Sequence, residues 1–277
     1  MNKDTPDDDP AVMYYDSDYP SEFFGKYRRN FDSITYSMGI VFDVHRYREM
    51  AAARKGPVLE LCCGSGRVAI PLARDGHPVV AVDVSKGMLS LLEANLRQEE
   101  PAVAKRVKSV QADVASLSLS KRFNLIICGF NSLALAGNQD DQLNLLRAAR
   151  EHLTKDGLFV CDVVNPLVTN VNGDMAPRLL LVRRNPRTGN MYTRFAMSGP
   201  LGADQFQTNF GYYDETEPDG RLRRTYYNYD WRPLFRGELE LMLRMAGLAV
   251  VKMEGGHKGE PITSATAPRF FVQARRA

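Results

Sequence analysis

Hydrophobic residues in this chain gather into short runs, and in its middle third these runs alternate with amphipathic stretches. Five apolar runs of strand length, Val58–Leu61, Pro78–Asp83, Val107–Asp113, Asn124–Gly129 and Leu158–Val164, are separated by helical patterns at about 67–75, 86–98 and 140–153. Near-continuous apolar strands joined by helices predict a parallel sheet covered on both faces. Pro71 falls near the opening turn of the first helix, where a missing N–H costs nothing. Ser85 stands where an N-cap of the second would be.

After Asn165-Pro166 the alternation stops. Leu179–Arg184, Met191–Met197, Gln205–Tyr213 and Arg221–Tyr229 then read as strands, divided by turn-forming stretches at 185–190 and 217–220. They predict an inserted antiparallel sheet. A helix over 236–246 ends at Gly247, and the strands Ala249–Met253 and Arg269–Ala274 follow with no helix between them, which requires an antiparallel partner. At the other end, residues 1–12 are rich in Asp and Pro and are expected to be disordered. Aromatic residues crowd the stretch from Met13 to Tyr36, and a helix is expected around 38–54. The chain thus divides into a tail (1–12), an N-terminal helical lid (13–55), an α/β core (56–165 and 232–277) and an antiparallel β insertion (166–231) serving as a lid or a dimer contact.

Composition narrows the function classes. Lys and Arg total 36 against 33 Asp and Glu, a net charge of +3 that gives no mandate for nucleic acid. No run approaches the roughly 18 apolar residues of a membrane span, and the acidic opening is unlike a signal peptide, so a cytoplasmic protein is expected. Cys62, Cys63, Cys128 and Cys161 lie in or just after apolar runs without metal-ligand spacing and read as reduced core thiols. The four histidines are scattered, and no metal is expected. His77 and His152 read as structural. His257, in the loop Gly255-Gly256-His257-Lys258-Gly259, is the candidate catalytic base.

The chemistry is concentrated at Val58-Leu59-Glu60-Leu61-Cys62-Cys63-Gly64-Ser65-Gly66-Arg67. A strand breaking into Gly-x-Gly lets backbone amides approach a ligand as the next helix starts. An acid suited to a ribose, Asp83, ends the neighbouring strand 17 residues after Gly66. Gly64-x-Gly66-x-x-Ala69 also matches a dinucleotide fingerprint, for which Asp83 would serve equally well. An NAD(P)-dependent oxidoreductase is therefore one alternative, and a non-catalytic cofactor-binding or interaction protein is another.

Several motifs in order resemble the class I S-adenosylmethionine-dependent methyltransferases. Glu60-x-x-x-Gly64-x-Gly66 is similar to their first motif, and Asp113-Val114 to their strand-3 motif. Phe130-Asn131-Ser132 is similar to the strand-4 motif, and Leu153–Phe159 to the turn into strand 5. With Asp113 and the closing antiparallel pair, Glu60 within the first strand favours the sulfonium cofactor over a dinucleotide. The resemblance implies a Rossmann-like, seven-stranded, mostly parallel sheet with helices on both faces. It also implies that Glu60, Cys62, Gly64 and Gly66 hold the amino-acid end of S-adenosyl-L-methionine, Asp83 the ribose, and Asp113 and Val114 the adenine edge. Val84 and Met88 would flank the adenine, and Gly129, Phe130 and Asn131 the sulfonium. One departure is Cys62, where that motif usually has glycine or alanine.

The resemblance further implies a small-molecule acceptor methylated at nitrogen or oxygen, similar to glycine and amino-sugar N-methyltransferases and set in natural-product biosynthesis. Phe130-Asn131-Ser132-Leu133 lacks the Pro-Pro-aromatic sequence of base-amine methyltransferases, so nucleic acid is not expected as a substrate. Tyr15 is expected at both cofactor and catalysis, with Tyr19, Phe23, Tyr213 and Trp231 at the acceptor. Arg178, Arg183, Arg184, Arg187 and Arg194 are expected to form a solvated basic face of the insertion.

Overall fold

Val58–Leu61 is buried along its whole length, as a strand with a neighbour on each side and helices on both faces must be. The computed structural model describes residues 9–20, 40–185, 187–262 and 267–277. Its helices are α1 (Pro10–Met13), α2 (Tyr15–Asp18), α3 (Ile40–Arg54), α4 (Ala69–Arg74), α5 (Lys86–Leu96), α6 (Pro101–Ala104), α7 (Gln139–His152) and α8 (Arg236–Met245). The strands of the main sheet are β1 (Val58–Leu61), β2 (Val79–Asp83), β3 (Val107–Gln111), β4 (Phe123–Cys128) and β5 (Leu153–Val164), joined later by β10 (Leu248–Glu254) and β11 (Arg269–Arg276). Between them come β6 (Asp174–Arg184), β7 (Met191–Ser198), β8 (Gln207–Thr216) and β9 (Leu222–Trp231).

The seven strands lie in the order β10-β11-β5-β4-β1-β2-β3. β1 pairs in parallel with β2 and β4, whereas β11 runs antiparallel to both β5 and β10. Strand order therefore reverses between β1 and β4, and a crevice opens at their carboxyl ends. One face of the sheet packs on α7 and α8 through Leu145, Leu146, Leu239 and Leu243. The other packs on α3 and α4 through Tyr47, Ala51, Ile70 and Leu72. Each such leucine or isoleucine, fully withdrawn from water, contributes about 1.5–3 kcal/mol before entropy is counted. Local signals agree with the packing: Ser85 caps α5 by accepting from Met88 N at 3.2 Å, and Asn138 with Asp141 forms a capping box on α7. His152 closes α7 by bonding Ala148 O through Nδ1 and accepting from Leu119 N at Nε2, the structural role expected of it.

Of the boundaries that differ from the sequence reading, three show their physical reason. Residues 9–12 are not disordered: Asp9 accepts from Ala11 N, Pro10 opens α1, and Val12 is buried against Met88 and Leu91. Two apolar neighbours on α5 give this acidic stretch something to bury. β5 begins at Leu153, five residues before Leu158, because its first residue pairs with Phe123 across an irregularity. β6 begins at Asp174, ahead of Leu179, since an edge strand tolerates Pro177 where the register shifts. Among the described residues no helix is long and apolar enough to cross a membrane.

The separate four-stranded sheet, in the order β6-β7-β8-β9, is antiparallel throughout and stands over the carboxyl ends of the main strands. Tyr14 of the N-terminal segment stacks on Tyr213 at 4.1 Å and donates to Glu215 at 2.7 Å. Helices α1 and α2 are thereby fastened to this sheet as well as to α5.

Candidate active site

A cavity of about 2010 Å³ lies between the carboxyl ends of β1–β4 and the four-stranded sheet. Its floor is made by the β1 turn. Gly66 takes φ +87°, and a Cβ there would come within 2.4 Å of Leu92, so glycine lets α5 pack directly beneath the turn. Cys62 sits on the cavity wall at φ +58°, in left-handed backbone that glycine adopts without penalty. That geometry explains the small residue of the resembling motif; a thiol fits at a backbone cost of about 1 kcal/mol.

Asp83 ends β2 with its carboxylate fixed by the backbone: Oδ2 accepts from Gly64 N at 2.8 Å and Oδ1 from Ser85 N at 2.9 Å. Burial pushes its carboxyl above the usual range, opposed by these N–H groups. Next along the wall stand Val84, then Asp113, which accepts from Ala115 N, and Val114. Tyr15 roofs the turn, its hydroxyl 3.3 Å from where a Cβ of Gly64 would be. Tyr15, Tyr19 and Phe130 form a run of edge-to-face rings at 5.1 and 5.0 Å.

Glu60 lies below the wall, 5% exposed, with Oε2 lacking any hydrogen-bond partner. Burial raises its carboxyl to about 8, opposed by the charge of Arg67 and reinforced by Asp83. Arg67 is buried with Asp43, and its guanidinium lies 4.8 Å from the centre of the Phe130 ring.

The loop after β4 is held from behind. Phe130 and Asn131 are consecutive left-handed residues, at φ +56° and +65°. Asp162 of β5, fully buried, accepts from Phe130 N at 2.7 Å, from Tyr47 Oη at 2.5 Å and from Arg269 Nη1 at 2.6 Å. Asn131 N bonds Asp162 O, and Val164 N bonds Asn131 Oδ1. Burial alone would raise the Asp162 carboxyl, but Arg269 and its other partners hold it well below the usual range.

The cavity wall includes Tyr15, Tyr19, Cys62, Gly64, Asp83 and Val84 of the expected residues. Further along it come Asp113, Val114, Phe130, Asn131, Tyr213 and Trp231. Other expectations are corrected. Met88 is fully buried against Val12, turned away from the cavity by the N-terminal segment. Gly66 and Gly129 do not themselves border the cavity; on the side a Cβ would take, Gly66 meets Leu92 and Ile70 and Gly129 meets Tyr47. His257 is not at the mouth: it is buried edge-on to Phe271 and Tyr47, with Nε2 3.7 Å from Asp162 Oδ1. Its loop folds inward because two rings and a carboxylate line the recess behind Phe130. Phe23 lies outside the described residues.

The basic face of the insertion is also corrected in part. Strand alternation turns Arg183 and Arg194 inward, where they are 3% and 6% exposed. Arg183 donates to the carbonyls of Ser17 and Asp18, and Arg194 pairs with the Asp18 carboxylate at 2.9 Å. Asp18, Asp162 and Arg269 were not singled out from the sequence, and Arg194 was read only as part of a solvated face. A charge inside the apolar run Val160–Val164 was the available signal for Asp162.

Comparison with known proteins fits this geometry. A family described as a methyltransferase domain matches residues 58–157. The cypemycin N-terminal methyltransferase of a Streptomyces species is 27% identical over 219 residues, spanning 79% of this chain and 83% of that protein. The structure of the CcbJ methyltransferase from Streptomyces caelestis superimposes with a TM-score of 0.72 at 27% identity, covering 85% of this chain and 90% of that one. The sugar N-methyltransferase KedS8 from a Streptoalloteichus species shares the fold, with a TM-score of 0.65 at 20% identity over 85% and 87% of the two chains.

Proposed function

This chain is a class I S-adenosylmethionine-dependent methyltransferase, and from that premise we propose that it methylates a nitrogen atom of a small natural product. The donor seat has the features such a cofactor needs. Asp83 is a fixed acceptor pair for ribose hydroxyls. Asp113 and Val114, on the same cavity wall, suit an adenine edge, and the orphaned Glu60 oxygen beneath the turn suits the cationic amino group. When bound, the cofactor supplies a methyl carbon activated by its sulfonium for in-line displacement. The protein's task is to align the acceptor and exclude water.

The observation that carries the choice of nitrogen is the ring-lined wall where donor and acceptor ends meet. Tyr15 and Tyr19 bring aromatic rings suited to a cationic amine or sulfonium to this wall, beside Phe130, whose ring already has the guanidiniums of Arg67 and Arg269 at 4.8 and 5.7 Å. All four histidines lie off that wall. A hydroxyl acceptor gains most from a nearby base, whereas an amine need only arrive neutral. The relative that methylates the N-terminus of cypemycin supports the same reading. The test is methyl transfer from labelled cofactor to paired amines and phenols of the same skeleton, with the product located by mass spectrometry. N-methylation is expected, and methylation confined to the phenol oxygen would sink the choice of nitrogen.

Glu60 gives a second check on the donor seat. Its carboxyl, raised to about 8, is protonated at pH 7. Placing the cofactor's ammonium beside it favours the ionised form, so binding should release about one proton at pH 7 and tighten between pH 6 and 8. Calorimetry in buffers of different ionisation enthalpy reads this directly. Glu60→Gln should abolish the release.

A further inference from the structure

Arg194 is a buried cation with one side left open. Its Nη1 donates to Asp18 at 2.9 Å and to Tyr19 Oη at 3.1 Å, and Nε donates to Tyr227 Oη at 3.3 Å. Among the described residues Nη2 makes no hydrogen bond, yet it is not sealed from solvent, and the side chain borders the cavity. The guanidinium packs against the rings of Tyr227, Tyr213 and Tyr19 at 4.8, 5.5 and 5.8 Å. It is thus fixed before any ligand arrives.

Surrounding charge leaves this open donor unopposed. The Asp18 carboxylate is occupied by Arg194, Tyr192 and Tyr213. Asp230, the other acid on this part of the wall, accepts from Thr208. Arg178 and Arg269 stand on the same wall, each paired with its own acid, Asp174 and Asp162, and the Arg269 guanidinium lies 5.7 Å from the centre of the Phe130 ring. A half-satisfied, desolvated guanidinium recognises an oxyanion well and a neutral apolar group poorly.

Resting on the methyltransferase reading, we propose that the acceptor carries a carboxylate and that Arg194 is the residue that selects for it. The substrate class would then be amino acids or amino-acid-like amines, with the carboxylate on Arg194 and the amine toward the Tyr19–Phe130 rings.

Trp231 is the chain's one tryptophan and borders the cavity, so its fluorescence reports occupancy. The protein loaded with S-adenosylhomocysteine would be titrated with benzoate, phenylacetate, hexanoate and succinate, each against its amide. Acids should bind about tenfold more tightly than amides. Arg194→Lys keeps a cation for Asp18 but loses the open donor. It should erase the preference while leaving S-adenosylhomocysteine affinity near that of the parent; some stability is lost with the Tyr227 and Tyr19 bonds, and circular dichroism establishes that the variant remains folded. Equal binding of acids and amides by the parent overturns the proposal while leaving the donor seat intact. So does a preference that survives Arg194→Lys and is lost in Arg269→Lys, or one for phosphate monoesters over carboxylates. Failure to bind S-adenosylhomocysteine overturns the reading beneath it.

Discussion

Replacing Asp83 with alanine is expected to weaken S-adenosylmethionine binding by about 10²- to 10⁴-fold, the loss of two charge-assisted hydrogen bonds to the ribose. The carboxylate is poised for that role because each oxygen already takes one backbone N–H, from Gly64 and from Ser85, which fixes its plane. Part of the loss will come from those two N–H groups, freed in the variant. Asp83→Asn retains an acceptor and should fall between parent and alanine. Calorimetric titration measures the affinities, and circular dichroism establishes that the variants remain folded. Unchanged affinity in Asp83→Ala would show that the ribose is not held there.

Asp162→Ala is expected to cost about 3–5 kcal/mol of stability, because it leaves the largely buried Arg269 guanidinium without its counter-ion. The Phe130 N–H and the Tyr47 hydroxyl lose their acceptor in the same step. At about 2–4 °C per kcal/mol the melting temperature should fall by about 10 °C. The pH dependence has a definite sign. A carboxyl held below its unfolded value stabilises the fold above about pH 4 and loses that contribution as pH falls toward the folded value. Urea titrations at pH 7 and pH 3 should therefore show a smaller gap between parent and variant at pH 3. A gap that grows on acidification would contradict the ion-pair account. Activity should fall with stability, since Phe130 and Asn131 hold left-handed backbone against this carboxylate.

What the sequence disclosed follows from the range over which each signal acts. Val58–Leu61 was read to the residue, because a strand covered on both faces is buried along its length, and Glu60 alone breaks its apolar run. Asp83 and Asp113 were legible because strand ends fix both their spacing and their direction. Met88 and Gly129 lie off the cavity wall for the opposite reason. Their surroundings depend on Val12 and Tyr47, which arrive from distant parts of the chain. His257 looked free in a glycine-rich loop, yet Phe271 and Tyr47 give it a buried place. Arg194 was hidden in a run of arginines. Its partner Asp18 lies 176 positions away, and a periodicity of two says which face a residue takes without saying what waits there.

The two ends of the cavity rest on separate backbone ladders, the proposed donor seat on β1, β2 and β4 and the proposed acceptor wall on β7, β8 and β9. This division gives the protein a particular evolvability. Side chains of the outer ribbon can be rewritten, and a new acceptor acquired, while the cofactor's seat is inherited unaltered. One limit is the ion pair between Asp18 and Arg194, which with other bonds ties α2 to β7. A lineage that changes its acceptor by changing Arg194 must revise the N-terminal segment in the same stroke.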